Sequence, residues 1–217
     1  MIMKSCRVLR WSILGASLYM PAVFSQDVVP ADLDTRIDRF LDERSGTWRD
    51  WNVPPVDGRT LHDLIVKNNF TRALEIGTST GHSAIWISKA LTRTGGKLIT
   101  IEIDQHRYET AVANFQQAGV SFLIDARLAD AHALVYELEG PFDFIFSDAD
   151  KEWYRQYMEA LLPKLAPGGC FVAHNVRRNR NQRGIADMLK YAENHPDLET
   201  TLDSAGAGMS ISCRKKP

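Results

Sequence analysis

The sequence is short of cysteine, of excess charge and of long apolar runs, and each shortage closes off a class of protein. Three cysteines, Cys6, Cys170 and Cys213, build neither a disulfide scaffold nor a four-cysteine zinc site. Lys and Arg number 26 against 27 Asp and Glu, for a net charge of −1, so there is no basic excess to grip a nucleic-acid backbone. The apolar stretch Trp11 to Phe24 is broken by Pro21 and falls short of the ~20 residues a stable membrane span needs. What is present is ordinary for a globular domain. The hydrophobic set makes up 44% and charged residues 24% of 217 positions, which excludes bulk disorder and fits one domain.

The first residues read as an address. Lys4, Arg7 and Arg10 form a basic region ahead of the apolar stretch, and Val23 and Ser25 are small enough for cleavage before Gln26. The expectation is a signal peptide over 1–25, a single domain over 26–217, and export to a periplasm or beyond. An amphipathic extension or a mis-assigned start would leave the chain in the cytoplasm.

From Arg72 onward the pattern alternates. Short apolar strands are expected at Arg72–Ile76, Lys97–Ile103, Val120–Ile124, Phe142–Ser147 and Gly169–His174. Helices are expected between them over Ser83–Leu91, Tyr108–Ala118, Ala129–Glu137 and Trp153–Lys164. Strands alternating with helices of about ten residues make βαβ units and a mostly parallel sheet. A helix over Gly184–Asn194 follows, then two closing strands, Leu198–Leu202 and Met209–Cys213, separated by Gly206 and Gly208. These read as a hairpin that leaves one edge of the sheet antiparallel. Upstream, Leu33, Ile37, Phe40 and Leu41 recur at helical spacing, and Gly58 opens a second helix.

In such sheets ligands sit at the carboxyl ends of the strands. The first end reads Glu75-Ile-Gly77-Thr78-Ser79-Thr80-Gly81-His82-Ser83. Its glycines permit a sharp turn and close approach to a ligand, and the next helix offers free N–H groups. Its spacing is not the G-x-G-x-x-G that cradles a dinucleotide pyrophosphate, and its carboxylate suits an amine-bearing ligand. The second strand ends at Glu102, about 25 residues on, where an acid can accept from both ribose hydroxyls of an adenosine. A surface acid is the plain alternative. The fourth strand ends Asp148-Ala149-Asp150-Lys151 and the fifth His174-Asn175. Singly, Asp148 is a helix cap and His174 a core histidine. Together Asp148, His174 and Asn175 offer O, N and O donors to one divalent cation.

The strings LEIGTSTGHSAIWISKAL, GGKLITIEID, GPFDFIFSDADKEWY and LAPGG together resemble the cation-dependent, S-adenosylmethionine-dependent O-methyltransferases of the catechol and caffeoyl-coenzyme-A type. The resemblance runs from about Trp51 through the fifth strand. It implies a Rossmann-like class I α/β fold: a seven-stranded, mostly parallel sheet with an antiparallel last strand and helices on both faces. It assigns Glu75, Gly77, Thr78 and Ser83 to the methionine end of the cofactor, Val53 to a cofactor contact in the loop before the second helix, Glu102 to the ribose and Ala126 to the adenine side. Asp148 and Asp150 fall on the cofactor side, Asp148 and Asn175 also on the metal, and Lys151 becomes the catalytic base. His174 departs from the family pattern, which has aspartate there. That substitution puts magnesium in doubt and favours Mn, Fe, Co, Ni or Zn.

The function so implied is methyl transfer to one hydroxyl of a small aromatic vicinal diol, with a divalent metal chelating the diol. Trp51, Trp153 and Tyr154 are candidates to grip the ring, the last two equally candidates for packing. The resemblance calls for no nucleic acid and leaves room for a homodimer. A cofactor-binding but idle homologue is the alternative, motivated by His174 and by an export signal on an enzyme whose cofactor is made in the cytoplasm. In the family fold the last strand lies antiparallel beside the fifth, which brings Cys170 near Cys213. Few neighbouring strand positions meet disulfide geometry, so two unpaired thiols are the expectation.

Overall fold

A computed structural model describes residues 32–177 and 181–216. The proposed leader and residues 178–180 lie outside the described residues. Two helices open the described chain, α1 (Leu33–Glu43) and α2 (Pro55–Asn68). There follow β1 (Arg72–Ile76), α3 (His82–Thr94), β2 (Lys97–Glu102), α4 (Gln105–Ala118), β3 (Ile124–Leu128) and α5 (Ala131–Glu137). The chain continues with β4 (Phe142–Ser147), α6 (Tyr154–Leu161), β5 (Leu165–His174), α7 (Arg183–Asn194), β6 (Leu198–Asp203) and β7 (Met209–Arg214).

The strands form one sheet in the order β3-β2-β1-β4-β5-β7-β6. The first five are mutually parallel, and β7 runs antiparallel between β5 and β6. The antiparallel strand is thus second from the edge, and β6 is the edge itself. Alternation along the strands sends side chains to two cores. Ala73, Phe144, Phe146, Cys170 and Val172 pack beneath α1–α4, and Leu74, Ile76, Ile145, Phe171 and Ala173 beneath α5–α7. Because both faces are covered, the central strands are apolar nearly throughout, as buried parallel strands must be.

Two expectations need correction. The third strand was expected at Val120–Ile124 but begins at Ile124, because Ser121–Leu123 close a single 3₁₀ turn that drops Leu123 into the core. The real strand, Ile-Asp-Ala-Arg-Leu, is half-exposed and carries charge, so its sequence lacks an apolar run. The second correction is covalent. Cys170 and Cys213 are register partners on β5 and β7 and form a disulfide, where free thiols were expected.

Candidate active site at the switch point of the sheet

Strand order reverses between β1 and β4, and a ligand crevice is expected at such a point. A cavity of about 760 Å³ opens there, lined among others by Gly77, Ser79, Glu102, Asp130, His132, Asp148, Lys151, His174 and Asn175. Gly77 sits at φ +97°, and a Cβ on it would lie 2.9 Å from the Asp148 carbonyl carbon. Only glycine lets the two loops approach so closely.

At one end of the cavity Glu102 is oriented by three backbone N–H groups. Ser79 donates to it at 2.7 Å, and Ile103 and Asp104 at 3.0 Å each. Behind the glycine turn lies a buried polar chain in which Thr100 donates to Glu75 at 2.5 Å and pairs with Thr78 at 2.5 Å. Glu75 is fully buried, and burial above all pushes its pKa up to about 8. It braces the turn from beneath, and its Oε1 has no hydrogen-bond partner. Thr78 and Ser83 are likewise buried outside the cavity. Val53 is also outside. Its carbonyl meets His82 Nδ1 at 2.9 Å, and the neighbouring Asn52 side chain donates to Thr80 at 2.7 Å. Asn52 and Pro54, not Val53, reach the cavity wall. Ala126 lies within β3, and the wall on that side is made by Ala129, Asp130, Ala131 and His132. The resemblance assigned Ala126 to the adenine side, three residues before that wall.

At the other end the charges interlock. Lys151 donates to Asp148 Oδ1 at 2.6 Å and to the Ala149 carbonyl at 3.0 Å. His174 Nδ1 meets Asp148 Oδ2 at 2.9 Å, and its Nε2 meets Asp57 Oδ2 at 2.7 Å. Asp57 comes from the first turn of α2 and is fully buried. Burial opposes a charge on His174, but hydrogen bonds to Asp148 and Asp57 outweigh it and lift its pKa to about 9. Asn175 stands beside this chain at φ +62°, lining the cavity, its carboxamide unbonded to any described residue. Asp150 caps the following turn through Glu152 N–H and lies 3.4 Å from His132.

These contacts decide whether the expected metal fits. A cation needs lone pairs; Lys151 and His174 each occupy one on an Asp148 oxygen, and both nitrogens of His174 face carboxyl groups. A ring donating twice to carboxylates has no lone pair left. Among the described residues no group of three or more His, Cys, Asp or Glu is arranged around a metal. His174 therefore does not fit as a ligand to a divalent cation, magnesium included, which leaves the expected donor set one short, and it is placed as a bridge between acids.

Of the aromatic candidates, Trp51 lines the cavity and is 82% exposed. Tyr154 is buried and donates to the His174 carbonyl at 3.2 Å, so it is packing. Trp153 stacks on His132 at 3.8 Å and acts through it. Asp57, His132 and Tyr157 were missed in the sequence.

Comparison with known proteins places the chain in a family. The sequence model of a family described as O-methyltransferase matches residues 38–183. A catechol O-methyltransferase of Niastella koreensis is 38% identical over 132 residues, which span 59% of this chain and 59% of that protein. A caffeoyl-CoA O-methyltransferase of Zinnia elegans is 31% identical over 166 residues, covering 71% of this chain and 67% of the relative. An O-methyltransferase from Bacillus cereus, solved in complex with SAH, superposes with a TM-score of 0.73 at 25% identity, over 87% of this chain and 94% of that one.

Proposed function

Because the chain belongs to the O-methyltransferase family, we propose that it methylates one hydroxyl of a catechol-type aromatic, using S-adenosylmethionine as donor. The observation that carries this reading is the single cavity joining the Gly77 turn and Glu102 at one end to Lys151 and Asn175 at the other. The Bacillus cereus protein's complex with SAH supports the choice of donor.

The residues present suit that cofactor. The Gly77 backbone admits close approach, Glu102 would accept from the ribose hydroxyls, and Ile103, Asp130 and His132 line the wall that would enclose the base. When bound, the cofactor would supply an electrophilic sulfonium methyl and would leave as the neutral thioether. The proton of the attacking hydroxyl passes to Lys151 Nζ, and the ammonium so formed is held by Asp148 and the Ala149 carbonyl. Asn175 receives the second hydroxyl. Aligning acceptor and methyl is the larger part of the task, because effective concentration alone is worth several kcal/mol. Trp51 at the lip covers the ring and thins the water around it.

The test is transfer of labelled methyl from S-adenosylmethionine to a panel of simple catechols, hydroxycinnamates and flavonoids. A mono-methylated ether is expected from at least one member. No transfer to any, with the cofactor bound, would leave the idle homologue as the better reading.

We also propose that the chain is exported. The basic region and apolar stretch ahead of Gln26 support this, as does the Cys170–Cys213 pairing, which an oxidising compartment permits. N-terminal sequencing of protein from its host should begin at Gln26. A mature chain that begins at Met1 in the cytoplasmic fraction would refute it.

A further inference from the structure

At the acceptor end of the cavity a cation is already built from the chain. Asp57, His174 and Asp148 form a continuous row in which the ring of His174 is clamped at both nitrogens, at 2.7 Å and 2.9 Å. Asp57 Oδ2 also accepts the Ala207 N–H at 3.0 Å, which fixes the far end of the row to the loop before β7. The side chains of His174 and Asp57 are only 3% and 0% exposed. Both ring nitrogens lie at hydrogen-bond distance from a carboxyl group, and a ring bearing hydrogens on both satisfies both contacts and is positive. Two buried acids this near one another need such a charge between them, because an unpaired buried carboxylate is costly. A divalent ion would otherwise supply it, and here the ring stands where that ion's ligand would be.

We propose that the Asp57–His174–Asp148 row takes the place of a divalent metal, so that methyl transfer by this protein is cation-independent. Asp57 and His174 are positioning residues. They act through Asp148, whose remaining oxygen orients Lys151 at 2.6 Å. The diol is then held by Lys151 and Asn175 instead of being chelated. The proton and methyl follow the paths given above, and no further reactant is needed. The proposal rests on the methyl-transfer reading for its chemistry, but its statement about metal stands on binding alone.

The experiment therefore measures binding first. Chelator-stripped full-length protein is titrated with Mn²⁺ and followed by electron paramagnetic resonance, with and without S-adenosylhomocysteine. Wild type is expected to leave Mn²⁺ free in both cases and to methylate catechol at an unchanged rate in excess chelator. His174→Asp replaces the positive ring by a third carboxylate and is expected to bind Mn²⁺ and to melt at a higher temperature in its presence. Should that variant not fold, Asp57→Asn serves. It is expected to lower kcat while leaving the affinity for S-adenosylhomocysteine and the indifference to chelator as in wild type. Stoichiometric Mn²⁺ binding by wild type would overturn the proposal. So would a loss of about a hundredfold or more in chelator restored by Mn²⁺, as expected where a metal does the work. An unchanged kcat in Asp57→Asn would overturn the positioning role. Failure of S-adenosylhomocysteine to bind would count against the function, while the Mn²⁺ titration would still decide the metal question.

Discussion

At the cofactor end of the cavity, partners lie close along the chain or on adjacent strands: Ser79 meets Glu102 across 23 residues, and Ile103 and Asp104 meet it directly. At the acceptor end, Asp57 and His174 meet across 117 residues, brought together only when α2 packs over the end of β5. The first end is held mainly by backbone donors, the second by side-chain charges. Backbone cradles tolerate many side chains around them, whereas a row of alternating charges loses its balance when one member changes. The two ends should therefore respond to substitution in different ways.

The largest separation is expected from Lys151→Ala. It should lower kcat by about 10²–10⁴, the range for loss of a positioned base, and leave S-adenosylhomocysteine affinity near wild type by calorimetry. A loss below about tenfold would make Lys151 a structural residue. Next in size is the disulfide that ties β5, and with it His174 and Asn175, to β7. Its sequence separation is 43 residues, for which loop entropy predicts up to about 4 kcal/mol. Cys213→Ser should lower the melting temperature by roughly 10 °C and raise the KM for the diol more than that for the cofactor. An unchanged melting temperature would show the bond to be absent in the purified protein.

Glu102→Ala should act at the opposite end. Loss of charged hydrogen bonds to the ribose is worth about 1.5–3 kcal/mol, roughly ten- to a hundredfold in cofactor affinity, with kcat at saturating cofactor little changed. If kcat falls instead, the two ends are not separable.

The shallowest expected change is with pH. His174 is raised from 6.5 to about 9, so its stabilisation is complete below 6.5 and is lost as pH rises through 9. Glu75, raised from 4.5 to about 8, has the same sign, with stability lost between those values. Melting temperature should thus fall across pH 6 to 9.5. In His174→Gln the upper part of that fall should vanish, and its persistence would show that another group titrates there.

The same contrast explains what could be read from the sequence. The parallel sheet, the glycine turn, Glu102 and the Asp148–Lys151 loop were legible because each is a contiguous string whose spacing is set by one strand and one turn. The third strand was not, since its apolar neighbours Val120 and Leu123 belong to a turn and its own residues are polar. Asp57 was invisible because nothing local requires it, and its partner lies on another element. His174 stood out as a departure from the family pattern, but its meaning depended on Asp57. The Cys170–Cys213 bond turned on a register that a one-residue slip would have spoiled.

The central claim is that the acceptor end reads a vicinal diol through Lys151 and Asn175, opposite a cofactor held at Glu102. Its most direct test is the initial rate of labelled methyl transfer to catechol and to phenol under saturating cofactor. The account predicts that catechol is methylated and that phenol, missing one hydrogen-bonded hydroxyl, reacts slower by about tenfold or more. Equal rates for the two would contradict it.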